Sequence, residues 1–270
     1  MEKASTAFSA SIFTAISLLV STLFIQGVEG SIIGVNYGTV ANNLPPPEQG
    51  IAVTVTATND QIPNLTRIEF AQEWLKLNVR TYIPATNIVR IFVGNEVIST
   101  ANKLLIASLV PAMETLHTAL VGASLDRRIK ISTPHSLGIL SGSSSPSTGK
   151  FRQGYDTHVL KPLLSFLRDT NSPFMINPYP FFGSSPENSR LRTGDSSQAD
   201  VDAESAAQYN RNLMQHVTSG GGTPLMPNRT FETYIFALFN EDLKPGPTCE
   251  RNFGLFRPGH DSGVRYWNPQ

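Results

Sequence analysis

The stretch IVRIFVGNEV, residues 88–97, decides how this chain is read. Its first half is apolar on both faces and rich in β-branched side chains, as a strand enclosed between helices and a core is. The run breaks at Gly94 and closes on the doublet Asn95–Glu96. A carboxylate at the mouth of a buried strand is well placed for acid–base work. Chemistry of that kind calls for a second carboxylate, and the search for a partner of Glu96 organises the rest of the reading.

Working outward, five more apolar runs read as strands: SIIGVNY (31–37), IAVTVTA (51–57), IKIST (129–133), FMINPY (174–179) and TYIFALF (233–239). Amphipathic stretches separate them. Thr66 and Glu69 form a capping-box pattern ahead of Ile68, Ala71, Trp74 and Leu75 on one face. Leu105, Leu109, Met113, Leu116 and Leu120 make a second stripe, and Leu160, Leu163, Leu164 and Leu167 a third, with Pro162 tolerable only near its start. Ala203, Ala206, Ala207, Asn210, Leu213, Met214 and Val217 make a fourth, which SGGG (219–222) terminates. The low-complexity run 141–149 reads as a loop. Strand followed by helix, repeated, with polar residues gathered at strand ends, is the pattern of a (β/α)8 barrel. A doubly wound dinucleotide fold is excluded, because no Gly-rich phosphate turn follows the first strand.

The N-terminus carries Lys3, the apolar run Ile12–Ile25, and Val28 and Gly30 at the −3 and −1 positions of a cut after residue 30. That is the form of a cleaved secretory signal peptide, and a run of fourteen residues falls short of the ~20 that a membrane span needs. Residues 31–270 then form the mature product, read as a single domain, with no second hydrophobic span and no tail for a lipid anchor. Removal of Glu2, Lys3 and Glu29 leaves 20 basic against 19 acidic side chains, a balance that gives no reason to invoke nucleic acid or an anionic membrane. Cys249 stands alone, which excludes an intrachain disulfide, and the five histidines show no metal-binding spacing. No GxSxG elbow is present. Asn64 and Asn228 head N-glycosylation sequons.

Taken in order, IGVNYGTVANNLPPP (33–47), FVGNEV (92–97), STPHSLGIL (132–140), MINPYPFF (175–182), GTPLMPN (222–228), TYIFALFNEDLKPGP (233–247) and ERNFGLF (250–256) resemble a plant glycoside hydrolase of family 17, the family of the endo-1,3-β-glucanases. The resemblance covers most of residues 31–270. It implies a (β/α)8 barrel that hydrolyses β-1,3-glucan with retention and without metal or cofactor, acting as a secreted monomer in the extracellular space, cell wall or vacuole. Glu96 matches the general acid/base, which must hold its proton near the working pH. Asn95 matches the residue that hydrogen-bonds the sugar 2-hydroxyl. Tyr37, Tyr179, Phe181 and Phe182 match positions lining the sugar cleft, and Glu241 and Lys244 match residues that support the catalytic carboxylates.

The resemblance fails where the partner of Glu96 is needed. The family's nucleophile is the glutamate of an ETGWPS-like motif at the end of strand seven, and no such motif occurs here. Between Tyr179 and Asp202 the chain is polar after its two phenylalanines, and Glu187 is its only glutamate, in Pro/Ser-rich sequence. A second gap follows Tyr37: thirteen residues separate it from Ile51, where a strand–helix–strand unit takes about 30 or more. Six strands are recognisable where closure needs eight, so the barrel is expected to be incomplete, with open edges at both joins. Glu241 as half of an inverting pair is the only substitute in view, and nothing in the sequence shows how its water would be held. The expectation is a hydrolase by family, weak or inactive as written; the alternative is a secreted, non-catalytic β-glucan-binding protein with a degenerate barrel.

Overall fold

The structure is a computed structural model that describes residues 33–36, 51–142, 148–180, 203–223 and 226–257. By their internal contacts the residues divide into two compact units, Met1–Pro46 with Pro180–Gln270, and Pro47–Tyr179. Both divisions fall at or beside the two places where the resemblance to the family pattern breaks off.

In the unit made of the chain ends, β1 (Ile33–Val35) pairs in parallel with β7 (Thr233–Ile235), Ile33 opposite Thr233 and Val35 opposite Ile235. First and last strands are neighbours, as closure of a barrel requires. TYIFALF is therefore shorter as a strand than expected. Beyond Ile235 its backbone turns to the ERNFGLF segment, with Ala237 N–H donating to Phe253 at 3.1 Å and Asn240 N–H to Phe256 at 2.8 Å. A helix, Ala203–Thr218, ends before Gly220 at φ 72°, the stop that SGGG predicts.

In the unit Pro47–Tyr179, β2 (Ala52–Ala57), β3 (Asn87–Val93) and β4 (Lys130–Ser132) form a parallel sheet in that order, and β5 (Pro134–Ser136) pairs in parallel with β6 (Met175–Asn177). Thr133 alone separates β4 from β5. The run read as one strand, IKIST, thus pairs with β3 over its first part and continues past its expected end to pair with β6. Strand order follows sequence order throughout, whereas a doubly wound sheet reverses at a switch point.

Among the described residues the α-helices of this unit are α1 (Ile62–Leu65), α2 (Ile68–Asn78), α3 (Lys103–Gly122) and α4 (Lys161–Asp169), and Ala203–Thr218 of the other unit is α5. Ile88, Ile91, Val93 and Ile131 from the strands meet Leu65, Trp74, Leu109, Met113, Leu116, Leu120, Leu163 and Leu167 from the helices in one buried core. Burial of each such side chain contributes about 1.5–3 kcal/mol. The opposite sheet face carries Thr54, Arg90 and Lys130 in one row and Thr56, Phe92 and Ser132 in the next, the layered arrangement of a barrel interior.

Three local expectations are corrected. Thr66 does not cap α2: its hydroxyl donates to the Pro63 carbonyl at 2.7 Å and closes α1, while Arg67 holds the N-cap position without a side-chain bond. Leu164 is exposed, because Phe166, edge-on to the His117 ring at 5.9 Å, takes the buried side of α4. Finally, α3 is by length and composition apolar enough to cross a membrane, contrary to the expectation that no second such stretch follows; its stripe from Ile106 to Leu120 is buried in the core.

β3 ends at Gly94, whose φ of 70° lies in the left-handed region, and a Cβ there would come within 2.6 Å of Asn59 Oδ1, Ile62 Cδ1 and Val97 Cγ2. Gly94→Ala combines an unfavourable backbone conformation with overpacking, and should lower stability by about 2 kcal/mol or more, read from the denaturation midpoint in urea. His135, on β5, is 1% exposed, lies 5.2 Å from the Phe174 ring, and among the described residues has no hydrogen-bond partner on either ring nitrogen. Burial lowers its pKa from 6.5 to about 4. The unfolded chain therefore binds the proton first, so this contribution to stability is complete above pH 6.5 and is lost as pH falls from 6.5 towards 4, by about 3 kcal/mol in all. His135→Leu should flatten the stability profile between pH 7 and 5 relative to the wild type; parallel profiles would show that the imidazole is not the group responsible.

Candidate active site

Glu96 follows β3 through a turn that the sequence dictates. Gly94 N–H continues the ladder by donating to Ala57 at 2.8 Å, and Gly94 then takes the left-handed conformation. Glu96 is itself left-handed, at φ 52° and ψ 32°, a region that costs a non-glycine residue about 1 kcal/mol or more. Its N–H donates to the Pro134 carbonyl at 2.9 Å, which ties it to β5. The side chain is half-buried, and Oε1 accepts a hydrogen bond from Asn177 Nδ2 at 2.8 Å. The same Nδ2 donates to Asn95 Oδ1 at 3.1 Å. One carboxamide at the end of β6 thus joins the side chains of both residues in the doublet. With Oε1 engaged as an acceptor, a proton carried by this carboxyl resides on Oε2, the arrangement that a general acid requires.

Beneath the doublet lies a second carboxamide. Asn59 Oδ1 accepts the Asn95 N–H at 2.8 Å, and Asn59 Nδ2 donates to the Asn95 carbonyl at 3.0 Å. The Ser99 and Ser136 hydroxyls hydrogen-bond each other between the turn after Glu96 and the end of β5. Sequence reading singled out neither Asn59 nor Asn177. Asn177 could have been found, since it stands at the C-terminal end of a parallel strand where barrel chemistry collects. Asn59 gave no such signal, because it follows a strand by two residues in an ordinary turn sequence.

Glu241 and Lys244 come together in the other unit. Glu241 is buried at 8% exposure, its Oε2 lies 3.4 Å from Lys244 Nζ, and Lys244 also meets Glu250 Oε2 at 3.0 Å. The same ammonium sits 4.9 Å from the centre of the Phe236 ring. One cation thus stands between two carboxylates, over an aromatic face that attracts it further. Asn240 beside them is buried and satisfied, donating to Asn252 Oδ1 and accepting from Gly254 N–H. Tyr179 is exposed two residues beyond β6. Asn64 and Asn228 are exposed. Tyr37, Phe181, Phe182 and Glu187 lie outside the described residues.

Comparison with known proteins bears on the missing segments. Residues 48–198 and 192–264 match the family described as Glycosyl hydrolases family 17, in two pieces that overlap near the second join. A glucan endo-1,3-beta-glucosidase of Triticum aestivum is 34% identical over 312 aligned positions, covering 84% of this chain and 68% of that protein. Glucan endo-1,3-beta-glucosidase 7 of Arabidopsis thaliana is 34% identical, covering 83% of this chain and 61% of its own length. In the wheat alignment, 84% of 270 residues is about 227, so roughly 85 of the 312 positions face no residue of this chain. Among solved structures, CJP38, a beta-1,3-glucanase and allergen of Cryptomeria japonica pollen, superimposes with a TM-score of 0.76 at 30% identity, over 84% of this chain and 96% of that one. Parallel strands in sequence order, a first strand paired with the last, and a glutamate held at the end of a central strand agree with these matches: the chain belongs to glycosyl hydrolase family 17 and to the (β/α)8 class of fold.

Proposed function

We propose that this chain is an endo-1,3-β-glucosidase by lineage that keeps the proton-donor half of its site, and that as written it hydrolyses β-1,3-glucan weakly or not at all. The observation that carries the reading is Glu96 at the end of β3, with Oε1 on the Asn177 amide and Asn95 beside it. In the retaining reaction Glu96 gives a proton to the glycosidic oxygen as the bond to C1 breaks, and a second carboxylate about 5–5.5 Å away attacks C1. Glu96, then ionised, takes a proton from the water that releases the sugar. Asn95 hydrogen-bonds the 2-hydroxyl, and Tyr179, exposed beyond β6, offers its ring to the sugar. The attacking carboxylate is what the chain lacks. Deleting a nucleophile costs on the order of a million-fold in turnover. Glu241 acts as the ion-pair partner of Lys244 rather than as the base of an inverting pair.

The same reading sends the mature product along the secretory route to the extracellular space, cell wall or vacuole, as a monomer. The exposure of Asn64 and Asn228 supports glycans at both. A second reading is favoured by the survival of sugar-facing residues without a nucleophile segment: a secreted protein that binds β-1,3-glucan and does not cut it.

Incubation of the purified chain with laminarin should release no reducing ends above the blank, and Glu96→Gln should change nothing. Turnover that disappears in Glu96→Gln would overturn the proposed inactivity. Retention on insoluble β-1,3-glucan without cleavage selects the binding protein, and absence of both binding and cleavage removes the glucan reading. Sequencing of the transcript across residues 47–50 and 190–194 tests the joins themselves; an ETGWPS-type segment recovered there makes the natural product an ordinary hydrolase.

A further inference from the structure

Asn59 takes no part in the chemistry proposed above, yet both polar atoms of its carboxamide are committed to the backbone of one residue, Asn95: Oδ1 accepts the N–H of the Gly94–Asn95 peptide and Nδ2 donates to the C=O of the Asn95–Glu96 peptide. Two bonds of opposite sense hold the two peptide planes that flank the Asn95 α-carbon, where one bond would leave the other plane free to swing. Glu96 follows in a left-handed conformation that it would not hold by itself; such a conformation persists only where its surroundings over-determine it. Three contacts do so: the Asn59 grip before it, the Pro134 carbonyl on its own N–H, and the Asn177 amide on its side chain. Gly94 belongs to the same device, because a side chain there would strike Asn59 Oδ1.

We propose that Asn59 is a positioning residue for the proton donor. By gripping the peptides on both sides of Asn95, the second of which leads into Glu96, it holds Glu96 left-handed, and so keeps the Glu96 carboxylate and the Asn95 side chain together on the Asn177 amide. The inference rests on the reading of Glu96 as the proton donor and deepens it. Asn59 touches no reacting atom and acts through the backbone alone. Displacement of a catalytic group by about 1 Å is enough to cost on the order of a hundred-fold, which gives the grip its importance.

The test compares Asn59→Ala with Asn102→Ala. Asn102 caps α3 by accepting the N–H groups of Leu104 and Leu105, so its loss also frees two backbone bonds in the same unit but leaves the backbone of Asn95 alone. Two quantities are read: solvent exchange of the Asn177 side-chain amide protons by NMR, and the affinity for laminarihexaose by calorimetry. Asn59→Ala should speed the exchange at least tenfold and weaken binding at least tenfold, while Asn102→Ala leaves both within twofold of the wild type. Asn59→Asp, which keeps the acceptor for the Asn95 N–H, should restore part of each, and it carries the comparison if Asn59→Ala does not fold. Unchanged Asn177 exchange in the Asn59 variants, or equal acceleration in Asn102→Ala, overturns the proposal. A wild-type chain that does not bind laminarihexaose removes the glucan reading instead, and the Asn177 exchange still decides the role of Asn59.

Discussion

Strand β3 is paired on both flanks, and everything else in the unit Pro47–Tyr179 is hung from it. A strand's N–H and C=O groups, once buried, must find partners. β3 meets that requirement with β2 on one side and β4 on the other, while Ile88, Ile91 and Val93 seal its helix-facing side. The neighbours of β3 are less well provided. Among the described residues β2 and β6 each have one ladder partner. Unpaired edges are the part of a sheet that invites aggregation. The stability of the unit therefore rests on its central ladder and on the helix layer behind it.

The site inherits this arrangement. Glu96 stands at the end of the best-supported strand, and its contacts draw on three others: Asn59 beyond β2, Pro134 on β5 and Asn177 on β6. Two carboxamides do the holding, one on the backbone of the doublet and one on its side chains. Amides suit the task because each offers donor and acceptor together without adding charge next to the carboxyl. Glu241 is held by other means, in an ion pair with Lys244 that leaves little of its surface to water.

Much of this was legible in the sequence. The strand runs were visible because strands with two covered faces are continuously apolar, and the helix stripes because burial recurs with the helical period. The gaps were legible too, since thirteen residues cannot hold a helix, a strand and a second helix. What could not be read was governed by contacts distant in sequence. Nothing local predicts that Thr66 would close one helix rather than open the next, or that Phe166 would displace Leu164 from the core. The partners of the doublet lie 36 and 81 residues from it, in Asn59 and Asn177, and pair with it only once β2, β3 and β6 are side by side.

The split of one extended run at Thr133 has its own consequence. β4 belongs to the three-stranded sheet, whereas β5 and β6 share only the pairings from Pro134–Met175 to Ser136–Asn177. That short two-stranded patch bears both the carbonyl that accepts the Glu96 N–H and the amide that meets its side chain. Fluctuations that part β6 from β5 would cost far less than unfolding the core, since local openings draw on local contacts. Glu96 is thus fastened to the region most ready to fray, and it would come loose while the hydrophobic interior remained intact.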